Sequence, residues 1–338
     1  MPHRPRWPRR LPWLLALVLP LLGCGSYPQS TFNPAGPVAR REAELFNLTA
    51  VIVAIIGIVV TCLLLYIVIR FRDRGQSGRA PQVRGHRLLQ TIWVLIPVAF
   101  VLYKAVPTVV DAFWLATPPT GSLRVKVIGH QWWWEFQYPD LGITTANELH
   151  LPTGQAADLT VTAADVIHGF WVPRLAGKVD AIPNRLNKLW LQADEVGTFL
   201  GQCTELCGTS HANMHFRVVA QTQADFDAWA QRLKALAQHP VPAEGALAKQ
   251  GEALFMGDRP CYTCHSIDGT KANGKVGPNL TGLALRGSVG AGLLPDTADG
   301  LTQWLHDPQA VKPGTIMPNL HLTDAELKAL VAFLQAQK

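Results

Sequence analysis

Two long apolar stretches dominate the first third of the chain. Residues 45–69 are almost uncharged, and a second apolar stretch covers residues 88–110, interrupted by two prolines and a lysine. A membrane-spanning helix needs about 20 mostly apolar residues, so each stretch is long enough to cross a bilayer. A pair of buried core helices is the alternative, but both the lengths and the arginine-rich segment between them argue against it. The pattern predicts a transmembrane hairpin over residues 45–112.

The segment between these stretches orients the hairpin. Residues 70–87 contain six arginines and a single acidic residue. Loops rich in Lys and Arg stay on the cytoplasmic side of a membrane. We therefore expect everything after residue 112 to lie on the opposite, outer side.

The N-terminus has the layout of an export signal. Residues 1–23 begin with arginines, continue as an apolar run and end in Gly23, directly before Cys24. The small residue before a cysteine resembles a bacterial lipoprotein processing site, at which Cys24 would become the lipidated first residue. Residues 24–44 would then be an exported segment. An ordinary signal peptide and an uncleaved anchor are the alternatives.

A different pattern begins after the second apolar stretch. Short runs of alternating apolar and polar residues, such as 124–128 and 158–162, are separated by Gly and Pro and predict β-strands. Several short strands with turns between them indicate a small β-sandwich over residues 113–222. Two further strands, 198–200 and 215–219, flank a cysteine-rich loop and are expected to be neighbours.

The remainder of the chain is predicted to be helical. Residues 223–245 form a helix and a Pro-rich linker, and residues 246–338 form a small domain of their own. The last helix is expected to begin at Thr323, because Glu326 three residues later completes a capping box.

Length and charge limit the number of domains and the kinds of binding partner. With 338 residues the chain has room for two or three domains, and its 48% hydrophobic content is concentrated in the first third. The net charge of +6 comes from the arginines of the export signal and of the segment 70–87, and the rest is net negative. Because no basic patch remains for phosphate, we expect no nucleic-acid partner.

The cysteine-rich loop has the donor atoms of a copper site. Cys203 and Cys207 are followed by His211 and Met214, and His168 lies upstream in a predicted strand. Two thiolates four residues apart can bridge a pair of metal ions, and each histidine can then cap one of them. Thiolate, thioether and imidazole together suit copper. The spacing of two cysteines alone is a weak signal, since copper-delivery proteins and zinc sites also use it.

A second motif predicts a covalently attached haem. Cys261, Cys264 and His265 form the pattern CxxCH, in which the cysteines bind c-type haem and the histidine is the proximal iron ligand. Both cysteine pairs come with histidine partners, so we interpret them as ligands and not as disulfides. Cys62 is interpreted as an inert thiol in an apolar helix.

The distal haem ligand is expected to be a methionine. Of the four methionines, the first is removed with the signal, Met214 is assigned to copper, and Met256 lies too close to the attachment site. This leaves Met317, and His/Met ligation favours a raised reduction potential. Two histidines remain alternatives, His306 and His321.

With both motifs in this order, the chain resembles subunit II of the haem–copper cytochrome c oxidases, in the subset that carries a fused cytochrome c. The resemblance implies two membrane helices, an all-β cupredoxin-like Greek-key sandwich with a dinuclear copper A centre, and an all-α cytochrome c domain. It also implies that Cys203 and Cys207 bridge the coppers and that His168 and His211 each hold one. Weak axial ligands would be Met214 and the backbone carbonyl of Glu205.

The resemblance assigns three further roles. In the aromatic run 129–138, Trp132 matches the residue at which electrons enter the copper centre. The Glu205 side chain corresponds to one that reaches a magnesium site shared with subunit I. Gln90 stands where many relatives have a glutamate at the mouth of a proton channel, and a glutamine cannot collect protons, which puts that role in doubt.

The expected function is electron transfer within a terminal oxidase. An external donor, a soluble cytochrome c or another carrier, would reduce the fused haem, the haem would reduce copper, and copper would reduce haem in subunit I. The resemblance implies oxygen reduction and proton translocation in the partner complex, with subunits I and III. The chain would sit in a bacterial cell membrane with its copper and haem domains on the periplasmic face.

Three other classes of protein share parts of this pattern. A copper-delivery protein would not need Met214, His211 or a second membrane span. A quinol oxidase subunit keeps the fold but has lost the copper ligands, all of which are present here. Nitrous oxide reductases share the copper centre but need a large propeller domain for which this chain has no room.

Overall fold

The computed structural model describes residues 27–72 and 85–338. The predicted export signal, Cys24 and most of the arginine-rich segment lie outside the described residues. The described part consists of two long helices, a β-sandwich and a mostly helical C-terminal region, as the sequence predicts. The helices are α1 (Pro37–Arg70), α2 (Arg87–Leu115), α3 (Gln223–Gln238), α4 (Gly245–Ala253), α5 (Cys261–Cys264), α6 (Ala298–His306), α7 (Pro308–Val311) and α8 (Asp324–Gln335).

The first two helices are long and apolar enough to cross a membrane, and the apolar 18-residue stretch of each is entirely exposed. Helix α1 begins at Pro37, before the apolar run at residue 45. Proline suits the first helical position because the amide N–H that it lacks would have no partner there. Val38 and Ala39 are buried, and Ala39 N donates to Leu175 O of the sandwich at 3.2 Å. The polar start of α1 thus attaches the hairpin to the next domain.

Two polar contacts join α1 to α2 near that end. The Arg41 guanidinium lies 2.5 Å from the buried Asp111 carboxylate, and Lys104 Nζ donates to Leu45 O at 3.1 Å. These contacts explain how a lysine is accommodated in the second apolar stretch. They also fix the two helices to each other where they approach the sandwich.

The sandwich consists of two five-stranded sheets, with strand orders β3-β2-β1-β5-β8 and β4-β10-β9-β6-β7. Strands β9 and β10 are antiparallel neighbours, with Gln202 opposite His215, so the cysteine-rich loop connects adjacent strands as expected. The strands are β1 (Leu123–His130), β2 (Trp133–Tyr138), β3 (Ile143–Ala146), β4 (Glu148–Pro152), β5 (Ala157–Ala163), β6 (His168–Trp171), β7 (Val179–Ala181), β8 (Asn187–Leu191), β9 (Gly197–Cys203) and β10 (His215–Gln221).

Aromatic side chains fill the space between the sheets. Trp134 is fully buried and contacts Phe170 and Phe216 edge to face, with ring centroids 5.4 and 5.5 Å apart. Its ring also lies 5.9 Å from that of His168. Such edge-to-face contacts favour one packing arrangement, so the core holds the strand that carries His168 in place.

The C-terminal region follows α3 and a stretch without regular structure at residues 239–244. Helices α4 and α8 pack together at Gly251, where an added Cβ would lie 2.0 Å from Ala329 O. Thr323 and Glu326 form the predicted capping box at the start of α8. A two-stranded ribbon, β11 (Ser288–Val289) and β12 (Leu294–Pro295), interrupts the otherwise helical region.

Candidate metal centre and haem pocket

The cysteine-rich loop brings its donor atoms together at one end of the sandwich. The Cys203 and Cys207 Sγ atoms are 3.8 Å apart. His168 Nδ1 lies 3.9 Å from Cys203 Sγ, and His211 Nδ1 lies 3.5 Å from Cys207 Sγ. Each sulfur therefore has one imidazole beside it, which is the arrangement that two bridged metal ions require.

The two predicted axial donors lie at the same place. Met214 Sδ is 3.9 Å from Cys207 Sγ, and the Glu205 carbonyl oxygen is 3.3 Å from Cys203 Sγ. The Glu205 side chain points elsewhere. Its carboxylate lies 3.5 Å from Lys178 Nζ and is 42% exposed.

His168 is oriented by a carboxylate that the sequence analysis did not single out. Asp165 Oδ1 lies 2.8 Å from His168 Nε2, which leaves Nδ1 facing the thiols. Burial alone would raise the pKa of Asp165, but hydrogen bonds from His168 and from the Gln131 and Val166 amides lower it. A carboxylate of this kind fixes the tautomer and direction of a metal-binding imidazole. Its position three residues before His168 was the available signal.

The two thiols differ in acidity. Burial and the adjacent Cys203 raise the pKa of Cys207 to about 12. For Cys203, burial is the largest single influence and opposes ionisation, but hydrogen bonds with His168 and with the backbone at Gly169 and Glu205 together outweigh it and lower the pKa. Two neighbouring thiols do not ionise independently, so a cation that binds both must displace a proton from Cys207.

Trp132 lies directly on this loop. Its Nε1 donates to Cys207 O at 3.1 Å, and Gln131 Nε2 donates to the same carbonyl at 2.7 Å. Trp132 is only 7% exposed. An added Cβ on Gly314 of the C-terminal region would lie 3.1 Å from the indole, so that region covers Trp132.

An apolar cavity opens next to Trp132, between the sandwich and the C-terminal region. Cys261, Cys264, His265 and Met317 all line it. His265 Nδ1 donates to Pro278 O at 2.9 Å, which leaves Nε2 free.

Burial lowers the pKa of His265, which favours the neutral imidazole that binds metal ions. The two alternative distal ligands, His306 and His321, are exposed and do not line the cavity.

A buried arginine in the cavity wall was also missed by the sequence analysis. Arg286 Nη2 donates to Asn279 O at 2.5 Å, while its buried Nε has no hydrogen-bond partner within the described part of the chain. Burial lowers the pKa of Arg286 to about 10. A buried guanidinium with an N–H to spare suits an anionic ligand group, and haem carries carboxylates.

The residues present therefore fit both groups that the motifs predict. Soft sulfur donors with one imidazole each suit a copper pair. An apolar cavity with two cysteines, a histidine and a methionine on its walls suits covalent haem. Both sites share Trp132 as a neighbour.

Profiles of known families divide the chain in the same way. Residues 27–110 match "Cytochrome C oxidase subunit II, transmembrane domain", and residues 140–222 match "Cytochrome C oxidase subunit II, periplasmic domain". Residues 248–338 match "Cytochrome c". A relative from Alkalihalophilus pseudofirmus, cytochrome c oxidase subunit 2, is 35% identical over 95% of this chain and 95% of its own length. The chain belongs to the cytochrome c oxidase subunit II family.

A second relative agrees with this assignment. Cytochrome c oxidase subunit 2 of Bacillus subtilis is 36% identical and covers 97% of this chain and 98% of its own. The crystal structure of the periplasmic domain of subunit II from Bradyrhizobium japonicum is 35% identical, covers 34% of this chain and 95% of that chain, and has a TM-score of 0.33.

Family membership establishes the general role of the chain. It is an electron-transfer subunit of a haem–copper oxidase complex, with two membrane-spanning helices and a periplasmic domain. The subunit II domain implies copper A, and the cytochrome c domain implies haem c.

Proposed function

We propose that this subunit passes electrons from an external donor, by way of covalent haem c and dinuclear copper A, to haem in subunit I of a terminal oxidase. There oxygen is reduced to water with proton translocation. The observation that carries the proposal is the convergence of Cys203, Cys207, His168 and His211 beside an apolar cavity with a CxxCH motif on its wall.

In this proposal the loop between β9 and β10 holds the coppers. Cys203, Cys207, His168 and His211 would hold the two coppers. Met214 and the Glu205 carbonyl would be further, weaker donors. Because adjacent strands and an aromatic core fix the loop, the ligands have little to rearrange when the charge of the centre changes.

The C-terminal region holds the haem in a similar way. Cys261 and Cys264 would attach the haem covalently, and His265 and Met317 would hold its iron. The Pro278 carbonyl supports this because it accepts a hydrogen bond from His265 Nδ1, which leaves Nε2 as the donor atom for a metal. When bound, the haem and coppers supply the reversible one-electron changes that the protein side chains cannot.

Trp132 connects the two sites. Its indole lies against Gly314 on one side and donates to the carbonyl of Cys207 on the other. We propose that electrons enter the copper centre here, from the fused haem and not from a diffusing protein, because the C-terminal region covers the indole.

The remaining roles concern the membrane and the partners. We propose that the chain works in a bacterial cell membrane, with its redox domains on the periplasmic face, and contacts subunits I and III. A soluble cytochrome c or another carrier is the donor. The exposed Glu205 carboxylate is available for a magnesium site shared with subunit I, and Cys24 for lipid attachment. Gln90 in α2 cannot itself collect protons as a glutamate at that position would.

The test is a spectrum and a metal count on the purified oxidase complex. We expect two coppers in this subunit, a near-infrared band, and a paramagnetic resonance signal from one electron shared by two copper nuclei. A single labile copper would point instead to a copper-delivery protein. Isolated cupric ions, or none, would contradict the proposal.

A paired variant tests the haem route in the same complex. Cys261→Ser combined with Cys264→Ser removes covalent attachment and should abolish oxidation of the external donor, while the copper signal persists. Cys62→Ser, which changes a thiol in α1, is the matched control and should leave donor oxidation unchanged. Unchanged donor oxidation in the double variant would overturn the route.

A further inference from the structure

A buried lysine joins the C-terminal region to the sandwich. Lys312 is only 2% exposed. Its Nζ donates to Trp132 O at 2.5 Å and to Gly290 O at 3.2 Å. One acceptor belongs to the sandwich and the other to the C-terminal region, so a single side chain links the two.

The partners of Lys312 are unusual for a buried lysine. Lysine is almost never fully buried unless it is paired, yet no carboxylate of residues 27–72 and 85–338 makes an ion pair with it. The side chain has N–H groups enough for both carbonyls. Burying the Lys312 ammonium costs desolvation energy, and only backbone carbonyls accept hydrogen bonds from it. We therefore interpret its role as geometric: it ties two segments of the chain together.

The residues after Lys312 extend this junction between the C-terminal region and the sandwich. Pro313 O accepts a hydrogen bond from Ser210 Oγ at 2.6 Å. Gly314, with φ of +82°, packs against both Trp132 and Thr209; an added Cβ would lie 3.1 Å from the indole and 3.3 Å from Thr209 Cβ. Left-handed backbone geometry and the lack of a side chain together allow this close approach.

The segment 312–317 therefore runs from the copper loop to the haem cavity. It starts at Lys312 and Trp132, passes the copper loop at Ser210, and reaches the cavity wall at Met317. The path is six residues long, 312–317, and Gly314 packs directly against the indole.

We propose that Lys312 is a positioning residue for electron transfer between the fused haem and the copper centre. It clamps the segment that carries Met317 onto Trp132 and so keeps the junction closed. The inference rests on the proposed function and specifies how the two sites of that function are held together.

The physical reason is the dependence of electron transfer on separation. With both groups bound, this step would oxidise the haem by one electron and reduce the copper pair by one, with no bond made or broken. The rate of such a step falls steeply as the gap widens. A tethered domain that opens and closes would transfer electrons only while closed, so the clamp sets the fraction of time in which transfer can occur.

The experiment uses the purified oxidase complex with Lys312→Leu, which removes both hydrogen bonds and introduces no metal ligand. A photoreductant delivers one electron to haem c, and the haem and copper absorption bands are followed in time. We expect the transfer rate to fall about tenfold, since the loss of two buried hydrogen bonds shifts the closed state by about that factor. The rate should also become dependent on solvent viscosity, which is typical of a step gated by domain motion.

Hydrogen exchange provides a readout that is independent of turnover. Backbone amides of residues 314–316 should exchange faster in Lys312→Leu, whereas the haem potential and the copper resonance signal should stay as in the wild type. Ser210→Ala weakens the same junction from the other side and should shift rate and exchange in the same direction. Lys328→Leu, at an exposed lysine on α8, is the matched control and should change neither.

Three outcomes decide the matter. Wild-type rate and exchange in Lys312→Leu would overturn the inference. A shifted haem potential with unchanged exchange would assign Lys312 to the haem carboxylates and also overturn it. If the wild-type chain shows no haem-to-copper transfer, the proposed function fails, and exchange alone then decides whether Lys312 closes the junction.

Discussion

His168 is held at both ring nitrogens, one facing Cys203 and the other hydrogen-bonded to Asp165. Asp165 in turn accepts the Gln131 amide at 2.6 Å, in the turn that leads to Trp132. One carboxylate therefore orients a proposed copper ligand and the backbone beside the proposed relay tryptophan. Changes in the geometry of the metal site and of the relay are coupled through it.

The identity of the distal haem ligand leads to a prediction for one residue. Met317→His should keep the covalent haem but lower its reduction potential by a sizeable part of the roughly 0.8 V range that axial ligands span. Redox titration of the haem absorption band measures this. His306→Ala and His321→Ala are controls at exposed histidines and should leave the potential unchanged. A shift in His321→Ala, with none in Met317→His, would identify a different ligand.

The sequence pointed to the candidate ligands because most of them lie at short, characteristic spacings. Cys203, Cys207, His211 and Met214 lie within one loop, and CxxCH is contiguous. Lys312 and Arg286 could not be predicted, since their partners are distant in sequence and only the folded chain brings them together. An isolated lysine in a loop gives no sign that it is buried.

Among the elements, strand β6 has a strict steric requirement beside the copper loop. An added Cβ on Gly169 would lie 2.2 Å from Thr204 Oγ1 and 3.0 Å from the Glu205 amide nitrogen. Any side chain here would push the loop away from His168, the neighbouring residue on the same strand. The strand can carry a copper ligand beside the loop only because Gly169 is small.

Gly169→Ala should therefore reduce copper occupancy and destabilise the sandwich by about 1–3 kcal/mol, the usual cost of overpacking. Copper content per chain and the thermal unfolding midpoint measure the two effects. Gly197→Ala on β9 is the matched control, because the nearest atom to its added Cβ is 3.9 Å away. Full copper loading of Gly169→Ala would show that the loop can move without loss of metal.

Strands with one face in the core and helices with a capping signal were predictable, whereas the start of α1 was not. Alternation placed β1, β5, β9 and β10 because each has one face in the core. The start of α1 was missed because residues 37–44 are polar on the exposed side, and their burial against Leu175 depends on the neighbouring domain.

For the molecule as a whole, the contact between the sandwich and the C-terminal region is the feature that cannot be predicted from the sequence of either domain alone. Besides Lys312, the buried Glu148 of β4 accepts hydrogen bonds from the Gly287 amide at 2.9 Å and from Ser288 Oγ at 3.3 Å. These two residues follow the buried Arg286. A linker of residues 239–244 allows many arrangements, and these buried polar contacts select one.

Glu148→Gln should loosen this arrangement, because hydrogen bonds to a charged group contribute about 1.5–3 kcal/mol. Limited proteolysis within residues 239–244, followed by mass spectrometry, should release the C-terminal region faster than in the wild type. Glu195→Gln, at an exposed ion pair with Arg174, is the control and should not change the cleavage rate. Equal cleavage in both variants would mean that Glu148 does not hold the junction.

Because the C-terminal region covers Trp132, the two electron-transfer steps should differ in how they depend on ionic strength. In the proposed route, copper reduction in this subunit needs no collision between separate proteins, so charge attraction across solvent cannot speed it and added salt cannot screen it. Ionic strength should act only one step earlier, where the external carrier meets the haem.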